Sequence, residues 1–162
     1  ATASLKQDFP LTKLLIAGLG PEETILKKLV QDLGIADSVS FLGHTSRAES
    51  WHVRKSSHVY IQNSNHEDNP CDIINTFATE TPIITTESAI TNEAVINEQS
   101  GLVIHNWNKD ELVSAIYRIF KDKELCQKIV SSEQRALAEK FSWEAHLHNL
   151  NTIFESLKNK ND

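Results

Sequence analysis

HVYIQNSNHEDNPCDIINTFATETPIITT, residues 58 to 86, decides how the chain is read. Val59 to Ile61 is a short apolar run bounded by polar residues, the mark of a buried strand end. A polar loop follows, with the acidic pair Glu67 and Asp68. Asn69-Pro70-Cys71-Asp72 then reads as a helix start. Asn69 can cap, Pro70 lacks only an N–H that would be unpaired there, and Asp72 can return a capping bond. Ile73, Ile74, Phe77 and Ala78 share one helical face, while Asn75 points roughly opposite. Pro82 stops the helix, and Ile83-Ile84-Thr85-Thr86 has the β-branched content of a strand. A loop and helix N-terminus at the carboxyl end of a strand is where α/β proteins hold anions, because unpaired N–H groups and the helix dipole point there.

Working outward, the residues before this stretch repeat the same alternation. Residues 1 to 9 resemble a helix end broken at Pro10, and Lys13 to Ala17 reads as a buried strand. Gly18-Leu19-Gly20-Pro21 turns the chain into a helix whose apolar residues Ile25, Leu26, Leu29, Val30 and Leu33 recur at helical spacing until Gly34 ends it. Ser38 to Leu42 is a second strand, left through Gly43-His44-Thr45, and a helix from about Ser46 to Lys55 leads back. After Thr86 a polar loop, ESAITNE, precedes Ala94-Val95-Ile96 and a turn at Ser100-Gly101. Leu102 to Ile104 is the last strand. Asn108, with Glu111 three residues on, opens a helix lined by Leu112, Ile116, Ile119 and Phe120. Helices over Lys123 to Lys140 and Ser142 to Lys158 follow; Leu147, Leu150, Ile153, Phe154 and Leu157 form the stripe of the second. Strand and helix alternate about every 20 residues, the pattern of an α/β parallel sheet covered by helices.

Composition bounds the function classes. At 162 residues, 40% hydrophobic and 23% charged, the chain suits one domain with one substantial core, and residues 159 to 162 form a frayed tail. No apolar run approaches the ~20 residues of a membrane helix. The net charge of −6 argues against a nucleic-acid partner. Cys71 and Cys126 lack metal spacing and read as free thiols of a reducing, cytoplasmic setting. The histidines lack ligand spacing, so no metal is expected, and the tryptophans read as packing residues. A chain without methionine that opens on Ala1 suggests a piece of a longer polypeptide.

The central stretch resembles the nucleotide-sugar signature of the retaining GT-B glycosyltransferases, glycosyl transferases group 1, often called family 4. That signature has an acid, seven residues, a second acid, and a helix end closed by Pro and two hydrophobics. Glu67 matches the first acid, and Pro82-Ile83-Ile84 closes the pattern. Asn75 stands at the second acid, and Asp68 and Glu80 replace positions that are usually glycine. LLIAGLGPEETILKKLVQDLGIADSVSFLGHT, SGLVIHNWNKDELVSAI and FSWEAHLHNLNTIFESL are similar to further family segments in the same order, so the resemblance spans about residues 11 to 156.

The resemblance implies the C-terminal half of such an enzyme: an open Rossmann-like parallel sheet with helices on both faces. It also implies a nucleotide-sugar as donor, retention of configuration, no metal or other cofactor, and a glycan or lipid-linked acceptor held by an N-terminal domain. Peripheral membrane association of the full enzyme would fit. Glu67 would orient the donor sugar through its hydroxyls as the catalytic carboxylate. Asn75 would take the ribose, N–H groups around Cys71, Asp72 and Ile73 the phosphates, and Gly18, Gly20, Gly43, His44 and Glu93 would complete the donor site. Each also has a plain reading, as a loop carboxylate, helix position, turn or cap. The acids Glu67, Asp68, Asp72, Glu80, Glu87 and Glu93 crowd this site with few offsetting cations. The family's first, central strand is missing, so five strands are expected, with Leu14–Ala17 and Val59–Ile61 either closing up or leaving a gap. The alternatives are a non-catalytic module that kept the fold and lost the donor, or half of a sugar-nucleotide epimerase.

Overall fold

A computed structural model describes residues 1–62, 70–105 and 108–158. In chain order the elements are α1 (Thr2–Leu5), β1 (Leu14–Ala17), α2 (Glu23–Asp32), a 3-10 turn (Ala36–Ser38), β2 (Val39–Gly43), α3 (Arg47–Lys55) and β3 (Tyr60–Gln62). Then come α4 (Pro70–Ala78), β4 (Ile83–Thr86), α5 (Ala89–Ala94), β5 (Leu102–Ile104), α6 (Lys109–Lys121), α7 (Lys123–Glu139) and α8 (Trp143–Lys158). Side-chain caps fix the starts of several helices. Ser46 and Glu49 form a reciprocal box at α3, while Asn108, Asp122 and Ser142 each accept a backbone N–H at α6, α7 and α8.

The organising strand is β4. It pairs in parallel with β3 (Ile84 opposite Ile61) and with β5 (Ile84 opposite Leu102), and all four of its residues are buried. Its side chains alternate between two cores, as strand geometry requires. Ile83 packs with Ile73, Phe77, Ala94 and Val95 from α4 and α5. Ile84 packs on the other face with Leu102, Ile116, Ile119 and Ile129. Each fully buried isoleucine contributes roughly 1.5–3 kcal/mol, so helices on both faces of β4 hold this part of the fold together.

Gly101 closes the Ile83 core. Its φ is +157°, and a Cβ there would stand 2.6 Å from Val95 Cγ1, 2.7 Å from Ile83 Cγ2 and 3.1 Å from the Ile83 carbonyl. Gly101→Ala is therefore expected to destabilise the fold by about 2 kcal/mol or more in urea titrations, and a loss under about 0.5 kcal/mol would show that β5 can shift to make room.

Among the described residues there are five strands, and residues 1 to 10 supply a short helix rather than a sixth. The strands form two sheets, β1-β2 and β3-β4-β5, so the gap between β1 and β3 stays open. Residues 13 to 34 accordingly lack the burial that their patterning suggests. Between Leu5 and Arg54 only Ile35 and Ser38 are buried, and the α2 stripe is open to solvent, with Ile25 60% exposed. β1 is half-buried at best, because it has one neighbour and no helical layer closes over it.

Three other expectations are corrected. ESAITNE is not a loop: it holds α5, because Ser88 and Thr91 cap reciprocally and Thr91 Oγ1 donates to the Thr86 carbonyl at 2.9 Å. The stripe of α8 is uncovered, with none of that helix's described residues buried. Trp51 and Trp143 are surface residues rather than packing ones, Trp143 being 68% exposed, and Trp107 lies outside the described residues.

The outer margin of β5 is closed by side chains. Ile104 faces β4, since its carbonyl accepts the Glu87 N–H, so Val103 and His105 present their N–H groups outward. Asn97 Oδ1 accepts the first at 2.9 Å and Glu111 Oε2 the second at 2.8 Å. That bond from the His105 backbone, aided by its ring, holds the Glu111 carboxyl below its ordinary range.

Candidate functional site

Within each sheet the strands are parallel, so the segments after β1 and β2 leave one end of their sheet and those after β3 and β4 leave one end of theirs. Gly18 and Gly20 follow β1, Gly43 and His44 lie at the end of β2, and Glu93 lies on α5 after β4. Gly18 and Gly43 are brought together: the Gly18 N–H donates to the Gly43 carbonyl at 2.7 Å, and both have positive φ, +119° and +65°. Neither Gly18 nor Gly20 has an atom within 4 Å of where a Cβ would sit, so space alone does not demand glycine at either. His44 is exposed, within electrostatic reach of Glu49.

The chain leaves β3 toward α4, and Glu67, Asp68 and Asn69 lie outside the described residues. α4 begins at Pro70, as its missing N–H favours. Cys71 is exposed and Asp72 partly so, while the Ile73 side chain is wholly buried, leaving only its backbone for a ligand. Asn75 is half-buried on the same helix. Glu93 sits exposed in the last turn of α5 and caps nothing; Ser88 is the cap, and Lys140 Nζ donates to the Glu93 carbonyl.

The acidic crowding is smaller than the sequence suggests. Glu80 follows the far end of α4, about 13 Å of helix axis from its first turn. Its φ is +56°, the backbone that would favour glycine, and Lys55 pairs with it at 3.0 Å. Asp72 is neutralised by Arg54, whose Nη2 lies 2.6 Å from Asp72 Oδ1. Sequence reading missed Arg54, because no spacing rule marks a helix residue that reaches another helix 18 positions later. Among the described residues, the arrangement offers helix N–H groups, two glycine turns and the Asp72 carboxylate paired with the buried Arg54. That set suits an anionic ligand with hydroxyl groups.

A family model described as glycosyl transferases group 1 matches residues 1–136. This chain belongs to that family. Among curated group 1-like relatives, an uncharacterized glycosyltransferase of Methanocaldococcus jannaschii is 26% identical over 132 residues, 82% of this chain and 34% of the relative. The lipopolysaccharide core biosynthesis glycosyltransferase LpsE of Rhizobium meliloti is 26% identical over 136 residues, 84% of this chain and 39% of its own length. The group 1 chain thus spans little more than a third of these relatives. Among solved structures, Anabaena HepE in complex with UDP superposes with a TM-score of 0.80 at 18% identity, covering 96% of this chain and 44% of HepE. The pneumococcal O-GlcNAc transferase GtfA in complex with UDP and GlcNAc gives 0.78 at 16% identity, covering 96% and 31%. These likenesses establish the fold: a group 1, GT-B-type C-terminal domain. Among the described residues, no helix is long and apolar enough to cross a membrane.

Proposed function

We propose that the chain is the donor-binding part of a retaining glycosyltransferase that takes a nucleoside-diphosphate sugar. The observation that carries this reading is that the paired glycine turns and the α4 N-terminus each follow the carboxyl end of a parallel strand, within a group 1 chain. In the proposal, N–H groups from Cys71 to Ile73 face the diphosphate, Asn75 the ribose, and Glu67 the sugar hydroxyls. As the glycosidic bond to the donor breaks, negative charge grows on the leaving diphosphate, and the fixed N–H dipoles of α4 oppose it. In this proposal helix N–H groups, rather than a metal, carry that load, beside an Asp72 whose charge Arg54 offsets. Two structural neighbours were solved in complex with UDP, which supports a nucleotide as the ligand. The relatives' remaining length is where the proposal places the acceptor-binding domain, and glycans or lipid-linked sugars are the acceptors it favours.

A second reading, a binding module that has lost the donor, is favoured by Asn75. An amide there accepts an O–H bond without the charge that roughly doubles its strength. Calorimetric titration with UDP, GDP and ADP separates the two. Donor binding predicts a Kd between about 10 μM and 1 mM for at least one diphosphate, with its nucleoside weaker. Absence of heat for all three at several-fold higher concentration would overturn it and leave the module.

A further inference from the structure

The apolar stripe of α8 lies open along the length of the helix. Trp143, Leu147, Leu150, Phe154 and Leu157 recur at alternating intervals of four and three residues. Phe154 is 64% and Leu157 53% exposed, and residues 151–158, which span every face of the helix, are all exposed. That half of α8 therefore stands clear of the body of the domain. A helical stretch so short is marginal in water by itself, and a row of large apolar side chains adds a hydration penalty. A second helix laid along the stripe relieves both. Apolar residues alternating at four and three form the seam by which one helix packs along another at a shallow angle.

The charges beside the seam point to the partner and its direction. Glu144 lies in the first turn of α8 and Lys158 in the last, on the same flank of the stripe. They are about 21 Å apart along the axis, too far to pair within one helix. Neither forms an ion pair with another described residue. When a second α8 lies antiparallel, with a twofold axis near Thr152, Leu147 meets Leu157 of the other copy and Leu150 meets Phe154. Ile153 then meets its own counterpart, and Glu144 stands opposite Lys158 at both ends. A parallel pair would instead set Ile153 beside Lys158 and His146 beside Asn151, with no ion pair. We propose that α8 is a self-association surface: two copies of this chain pair antiparallel through the seam at 143–157, with Glu144 and Lys158 fixing direction and register. The same patch serves on both copies, as a twofold interface requires. A contact confined to one helix of about two heptads makes a weak, concentration-dependent dimer. The proposal is independent of the donor-binding reading above.

Sedimentation equilibrium of the chain up to about 1 mM tests this, with an expected monomer–dimer Kd on the order of 10–100 μM. Phe154→Asp and Leu157→Asp, both at exposed side chains, should each weaken the dimer by about tenfold or more, since pairing would bury a charge. The urea midpoint of the dilute protein should stay where it is in both. Glu144→Lys and Lys158→Glu should each dimerise about fivefold more weakly, because each sets like charges together twice. Mixed one to one, these two variants should form a heterodimer within about threefold of the parent, since lysine then faces glutamate at both ends. The mixing is done at about 0.3 M salt, where only charges in close contact still interact. No gain on mixing overturns the antiparallel pair. A dimer that ignores Phe154→Asp but is lost in Ile25→Asp moves the interface to α2 and overturns the proposal. A chain that stays monomeric at about 1 mM overturns it as well, and leaves the stripe to a different polypeptide segment.

Discussion

Glu133→Met is expected to stabilise the protein, and the gain should grow as pH rises. Glu133 lies on α7 with its side chain wholly buried, and neither carboxyl oxygen has a hydrogen-bond partner among the described residues. Burial pushes its pKa up to about 9; the Ile83 backbone tempers this as a polar neighbour, without the geometry of a formed hydrogen bond. In the unfolded chain the same group ionises near 4.5. Between those two values the unfolded state releases a proton that the folded state keeps, so ionisation favours unfolding as pH increases. The penalty is absent below the lower value and accrues at roughly 1.4 kcal/mol per pH unit above it, giving a ceiling of about 3 kcal/mol at pH 7. Methionine has similar length and no polar group to desolvate. Urea titrations of both proteins at pH 4.5 and pH 8 measure this. A gain at pH 8 larger than that at pH 4.5 by roughly 2–5 kcal/mol is expected, the upper figure being the ceiling there. Equal differences at the two pH values would mean that Glu133 is not buried as a neutral acid.

The second large effect is a contrast in amide exchange. Backbone N–H groups of β4 lie between two partner strands and beneath helices on both faces, so their exchange should require global unfolding. Those of β1 and β2 belong to a two-stranded unit with hardly a buried side chain and an uncovered α2. Local opening there exposes little additional apolar surface. Amides of Leu15 to Ala17 and Phe41 should therefore exchange on the order of 100-fold or more faster than those of Ile84 and Thr85. Equal protection of both groups would show that the two sheets open as one cooperative body.

Much of the fold was legible because it rests on local rules. Pro70 at the start of α4, Pro82 after it and the β-branched run of β4 each constrain one backbone region, and the structure places all three as expected. α5 was missed because its cap is a serine answered by a threonine rather than a glutamate. The stripes of α2 and α8 were misjudged for another reason. Periodicity reports that one face of a helix is apolar, whereas coverage depends on what packs there, and their large apolar side chains stay exposed. At the candidate site, positions set by strand ends were legible, since Gly18, Gly43 and α4 follow directly from parallel topology. The Arg54–Asp72 pair was not, because it comes from a side chain crossing between helices, and Glu67 lies outside the described residues.

The capped N–H groups of Val103 and His105 bear on how this molecule meets its neighbours. A foreign segment seeking to lengthen the three-stranded sheet past β5 would first have to evict Asn97 and Glu111 from bonds already made. That flank is closed to accretion. Ile61 is different: Tyr60 turns its backbone to β4, so Ile61 directs its own toward a side where, among the described residues, no strand pairs. A further ribbon would thus find an unpaired backbone edge at β3 and none at β5.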